Sequence, residues 1–170
     1  MARIDGDPAP WHELPPPLAA QLGLTIASFG HLEDMLKRAI FALDRDRLSG
    51  AIREHDFRQW LRRMDHVAAD SLGTLIDRLD RTLIREGRGN PDLSADLDEI
   101  KTWRNLLCHA TWQPEATGWK PLFVNTRGEV HDRTMDETDL AAIRAMTLDA
   151  ANRARRIIES LDDHGNGVAE

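Results

Sequence analysis

The chain has 170 residues, of which 41% are hydrophobic and 30% charged, with a net charge of -7 and one cysteine. That length suits one domain with a real core, and the balance excludes a disordered chain. A single cysteine excludes an internal disulfide, and no apolar run approaches the roughly 20 residues that span a bilayer.

The acidic balance argues against a non-specific nucleic-acid coat, which needs a broad basic surface, but leaves room for a local arginine-lined cleft. Residues 1–7 hold no apolar signal region, so the expectation is a cytoplasmic protein. Residues 1–14 carry Gly6, Pro8 and Pro10 among charges and read as an N-terminal arm, with Trp11 as its anchor. Pro15-Pro16-Pro17 stops anything helical before it, and the last of these suits a first helical turn. From there to residue 164 the chain reads as a single domain, followed by a tail at 165–170.

From Leu18 to about Asp46 the apolar residues Leu18, Leu22, Ile26, Phe29, Leu32, Leu36, Ile40 and Leu43 recur at helical spacing. Glu33 falls inside that stripe, where a carboxylate is costly without a cation or donors. Either it reaches solvent from the edge, or it pairs with Arg104 and fixes that guanidinium. Ser49-Gly50 breaks the helix. A second helical region spans about Glu54 to Arg85, with Phe57, Trp60, Leu61, Met64, Ala68, Leu72, Leu75, Ile76, Leu79 and Leu83 as its buried stripe. Gly73 inside it points to a kink or a close contact. Arg58, Arg62, Arg63, Arg78, Arg81, Arg85 and Arg88 alternate with aspartates, as a solvated face or an RNA-facing patch.

Gly87-Arg88-Gly89-Asn90-Pro91 is a breaker, and Ser94 then serves as N-cap of a third helix that ends near Trp112. Around that helix, with Arg104 as zero, Asn105 points to about 100° and His109 to about 140°. Leu106, Ala110, Trp103, Leu107 and Ile100 occupy roughly 200° to 320°, facing a core. Asn105 and His109 are i,i+4 neighbours, and the long Arg104 stem reaches the same spot. An imidazole exchanges protons near neutral pH, and a guanidinium grips phosphate with two hydrogen bonds. The combination suits chemistry on a phosphodiester with no metal or cofactor.

After this helix, Trp119–Val124 and Glu129–Arg133 flank Asn125-Thr126-Arg127-Gly128, which reads as a β-hairpin over about 119–133. It should pack on the bundle through Phe123 and Val130. Thr134-Met135-Asp136-Glu137 resembles a capping box for a last helix whose stripe runs from Leu140 to Leu161 and which ends at Gly165. The fold class expected is all-α: an up-and-down bundle of four to five helices with a small hairpin before the last.

Arg104-Asn105-x-x-x-His109 resembles the RNxxxH signature of the HEPN superfamily, and Glu33 stands where such sequences often carry an acidic residue. The resemblance implies a helical bundle that forms a homodimer, with two motif helices meeting at a cleft. It further implies a metal-independent endoribonuclease, a toxin or defence effector cleaving RNA to 2′,3′-cyclic phosphate ends. In that scheme His109 moves the proton, Arg104 stabilises the phosphate charge and Asn105 orients one of them. HEPN toxins silenced by a nucleotidyltransferase resemble R-x4-H-x-Y. Here Thr111 takes the tyrosine's place and the chain has no Tyr, so an antitoxin or neighbouring-gene partner would act by binding. The acidic charge favours a second reading, a catalytically silent helical dimer that binds a nucleotide or a protein.

The other histidines show no metal-ligand spacing. Cys108 neighbours His109 in sequence but does not face it on a helix, so it reads as a buried or half-buried bystander. Gly87-x-Gly89 lacks the lysine and strand of a phosphate loop.

Overall fold

The computed structural model describes residues 11–47, 54–123 and 131–165. In chain order these form α1 (Pro16–Arg47), α2 (Glu54–Ala69), α3 (Leu72–Arg85), α4 (Pro91–His109), β1 (Thr111–Glu115), β2 (Gly118–Leu122) and α5 (Glu137–Gly165). The chain is thus a helical bundle with a small antiparallel hairpin before its last helix, as the residue pattern requires. None of the described helices is long and apolar enough to cross a membrane.

α1 and α5 share the most extensive helix–helix contact. Both bury small residues: Thr25, Ser28, Ala39 and Ala42 on α1, and Thr147, Ala150, Ala151 and Ala154 on α5. Small side chains let helix axes approach closely. Buried hydroxyls are costly unless bonded, and each of these finds a carbonyl. Thr25 Oγ1 donates toward Gln21 O at 2.8 Å and Leu140 O at 3.1 Å. Ser28 Oγ donates to Thr25 O at 2.6 Å, and Thr147 Oγ1 to Ile143 O at 2.8 Å.

Pairwise contacts set the helix directions. Thr25 meets Leu140 while Ala42 shares a cavity wall with Ile158, so α1 and α5 run the same way. Ser94 bonds Asp80 and Lys101 lies against Gly73, which makes α4 antiparallel to α3. Asp96 pairs with Arg153 and Trp103 lies in one cleft with Ile143, which makes α4 antiparallel to α5.

Several local features differ from the sequence expectation. The stripe of α1 is rotated: Ile26 is 39% exposed, and Thr25 and Ser28 take its place inside. The expected helix from 54 to 85 is two helices, broken at Asp70-Ser71, where Ser71 adopts an extended N-cap conformation (φ -71°, ψ 161°). Its apolar periodicity runs on through the break and so conceals it. Asp70 pairs with Arg78 at 3.0 Å across the joint. A Cβ on Gly73 would stand 3.4 Å from Lys101 Cδ, so this glycine marks a close contact between helices.

The N-cap of α4 is Asn90, not Ser94. Asn90 Oδ1 accepts from Leu93 N at 3.0 Å with Pro91 in the first turn, while the Ser94 hydroxyl donates to Asp80 Oδ1 at 2.5 Å. At α5 the box is Asp136 and Asp139, two residues beyond the one expected. Asp136 Oδ1 accepts from Thr138 N at 2.8 Å and Asp139 N at 3.0 Å, and Asp139 Oδ2 accepts from Asp136 N at 3.0 Å. A carboxylate outcompetes Thr134, whose hydroxyl faces that of Thr117 at 3.3 Å. Trp11 is 80% exposed, so its ring is not packed against the described residues.

The hairpin also starts earlier than expected. α4 stops at His109, Ala110 turns extended (φ -72°, ψ 143°), and the chain enters β1 at once. β1 and β2 pair from Thr111↔Leu122 to Glu115↔Gly118, so Trp119–Leu122 is the second strand and not the first. Gly118 has φ +143°, and a Cβ there would stand 3.4 Å from Met135 O, which makes glycine the fitting residue after the turn. Trp119 also bridges to Met135, tying the hairpin to the entry of α5. Residues 1–10, Ser49, Gly50, the expected turn Asn125–Gly128, Glu129, Val130 and residues 166–170 lie outside the described residues, as do the Phe57 and Ala68 side chains.

Two substitutions test this account by urea unfolding. Leu36 is fully buried, and Leu36→Ala is expected to cost about 2–5 kcal/mol. Asp136→Ala removes a helix cap and is expected to cost about 1 kcal/mol; an equal cost for Thr134→Ala would contradict the cap assignment.

Candidate functional site

α4 buries Leu93, Leu97, Ile100, Leu106 and Leu107. The first two extend the apolar arc further than the residues around the motif indicate, since they lie within about 20° of Arg104 around the axis. Arg104 is accordingly half-buried, whereas Asn105 and His109 are exposed. Arg104 Nη1 donates to Asn105 Oδ1 across a long 3.4 Å. Cys108 is exposed as well, not half-buried.

Glu33 is half-buried on α1, and no ion pair joins it to Arg104 among the described residues. The guanidinium turns instead toward the amide on its own helix. Arg104 differs in this from Arg78 and Arg85 of α3 and Arg153 of α5. Arg78 pairs with Asp70 at 3.0 Å, Arg85 with Asp44 at 2.9 Å and Glu86 at 2.8 Å, and Arg153 with Asp96. Arg81 donates to Asp77 O at 3.0 Å, and Arg88 to Ser160 Oγ at 3.4 Å. Those side chains serve the fold; Arg58, Arg62 and Arg63 on α2 are exposed.

The ring of His109 is stacked on Phe123, with centroids 6.3 Å apart and planes at 24°. Strand register explains the contact. β1 continues α4 directly and Thr111 pairs with Leu122, so the residue after β2 returns beside the last residue of α4. The sequence marks Phe123 as a packing residue but conceals its partner, because the pairing begins at Thr111.

A second cluster lies on the core side of α4. Trp103 Nε1 donates to Glu99 Oε1 at 3.1 Å, and its ring meets His131 edge to face, 5.8 Å between centroids and 72° between planes. Burial, reinforced by the charge of Arg133, holds the His131 imidazole below its ordinary value. Its Nε2 is buried with no hydrogen-bond partner among the described residues. Glu99, Trp103, His131, Arg133, Met135 and Met146 help to wall a cleft of about 210 Å³. Nothing in the spacing of the histidines singles out His131; the chain's return after the hairpin brings it to Trp103.

Among the described residues, no group of three His, Cys, Asp or Glu side chains could hold a metal ion. No family model matches the chain, and no characterised protein or solved structure matches it at a significant level.

Two measurements follow. The His109 ring proton resonances should carry the ring-current shift of Phe123 and move toward solvent values in Phe123→Ala; unchanged resonances would remove the stack. His131 is held below the ordinary value of 6.5, so the unfolded chain takes up its proton first as pH falls. Its contribution to stability is therefore present above that value and is lost as pH falls from it through the folded value. Urea unfolding across about pH 8 to 5 should show this loss, and His131→Phe should remove it.

Proposed function

We propose that the chain is a metal-independent endoribonuclease of HEPN type, acting as a homodimer in which two copies of α4 face one another across an RNA cleft. The observation that carries this reading is the guanidinium of Arg104. The residue is half-buried, and its charged head has no acidic partner among the described residues, one turn from an exposed imidazole on the same helix. A guanidinium with no carboxylate beside it is suited to an anion brought from outside.

A phosphodiester supplies that anion. His109 of one copy takes the proton of the ribose 2′-hydroxyl as its oxygen bonds to phosphorus. The bond from phosphorus to the 5′-oxygen breaks, and that oxygen takes a proton from His109 of the second copy. The products are a 2′,3′-cyclic phosphate and a 5′-hydroxyl. Arg104 faces the charge that gathers on the phosphate oxygens, where a preplaced cation counts most. Asn105 holds Arg104 through its amide oxygen, and Phe123 limits how the His109 ring turns. Proton transfer and charge stabilisation both come from side chains, so the reaction requires no metal.

A catalytically silent dimer that binds a nucleotide or a protein is the competing reading. The net charge of -7 favours it. So does the uncharged stretch from Leu14 to Gly30, which leaves Leu24 52% exposed and offers an apolar face to a partner.

Incubation of the purified protein with tRNA and mRNA in chelator, followed by end-group analysis, separates the two. The expected products end in 2′,3′-cyclic phosphate. His109→Ala should slow cleavage by about 10²–10⁴-fold, and Arg104→Ala by about 10²–10³-fold, with both variants folded. Intact RNA with the wild-type protein would leave the binding reading in place.

A further inference from the structure

A cavity of about 550 Å³ opens between α1, α2 and α5, and α4 contributes no residue to its walls. Its α1 wall holds Asp34, Lys37, Arg38, Phe41 and Arg45, spaced so that one helix face carries them all. Trp60 of α2 closes the other side and meets Phe41 edge to face, 5.9 Å between centroids and 86° between planes.

The charge here runs against that of the chain. In a protein of net charge -7, these walls gather three cations around one carboxylate. That carboxylate is occupied: Arg38 Nε donates to Asp34 Oδ2 at 2.7 Å. Lys37 takes part in no ion pair or hydrogen bond among the described residues. The volume falls within the roughly 300–1,000 Å³ of small-molecule sites. An aromatic wall alone would accept any flat hydrophobe, and a cationic rim alone any anion. The two together, within one cavity, match a planar base joined to a phosphate.

We propose that this cavity binds a nucleotide unit, the base against Phe41 and Trp60 and the phosphate on Lys37 with Arg38 and Arg45 at the rim. The unit is either a free mononucleotide or one residue of an RNA strand. The inference stands apart from the ribonuclease reading, because none of Arg104, Asn105 and His109 lines the cavity.

Calorimetric titration of the full chain carrying His109→Ala, which keeps any RNA intact, tests it. The probes are adenosine 5′-monophosphate, adenosine, inorganic phosphate, and a short oligoadenylate without terminal phosphates. Adenosine 5′-monophosphate should bind more tightly than either of its parts. Lys37→Gln should weaken it by about tenfold, with recovery in Lys37→Arg. Trp60→Leu should weaken it by about fivefold or more; if that variant does not fold, the Lys37 pair decides. Tighter binding of the oligoadenylate with the same Lys37 dependence identifies an RNA strand, and binding of the mononucleotide alone identifies a free nucleotide. The proposal is overturned if neither probe binds at millimolar concentration, or if binding is indifferent to Lys37→Gln. Because cleavage plays no part in the measurement, its outcome is independent of whether the wild-type protein cuts RNA.

Discussion

The bundle depends on how closely α1 and α5 approach. Each presents small residues to the interior, and the hydroxyls of Thr25, Ser28 and Thr147 are buried among them. An unpartnered hydroxyl there would oppose folding; Ser28 and Thr147 are satisfied by carbonyls of their own helices, and Thr25 reaches across to α5 as well. The bond from Thr25 to the carbonyl of Leu140 is the most telling, since it joins residues 115 apart in sequence and places the beginning of α5 against the first half of α1.

That frame determines how α4 can sit. Packed antiparallel against α3 and α5, it must bury Leu93, Leu97, Ile100 and Leu107, which brings Arg104 to the margin of the core and leaves Asn105 and His109 outside. A long side chain tolerates this, because its stem can lie along apolar surface while its head reaches a polar group. The hairpin then has no freedom in direction. Its first strand begins one residue after α4 ends, so its second strand must return to the same place, and Phe123 arrives against the imidazole.

Charge is distributed unevenly for the same reason. Arg85 of α3 and Arg153 of α5 face acidic residues of neighbouring helices and help to hold them together. Lys37 of α1 lines a cavity with aromatic walls and has no ion pair among the described residues, and among these Arg104 bonds only an amide.

Much of this was legible in the residues alone. Helical periodicity marks α1, α4 and α5 with nearly correct limits, and the proline and glycine clusters mark the breaks before α1 and α4, because these signals are local and backbone sterics enforce them. The i,i+4 relation of Asn105 and His109 likewise follows from helix geometry. Caps were less legible: Asn90 and Asp136 stand close to Ser94 and Thr134, and only the direction in which each backbone enters its helix selects between them. The break at Ser71, the register that begins at Thr111, the meeting of Trp103 with His131 and the missing clamp between Glu33 and Arg104 were decided by tertiary structure alone. Each depends on which distant segment packs alongside, and one helix's residue pattern carries no record of its neighbour.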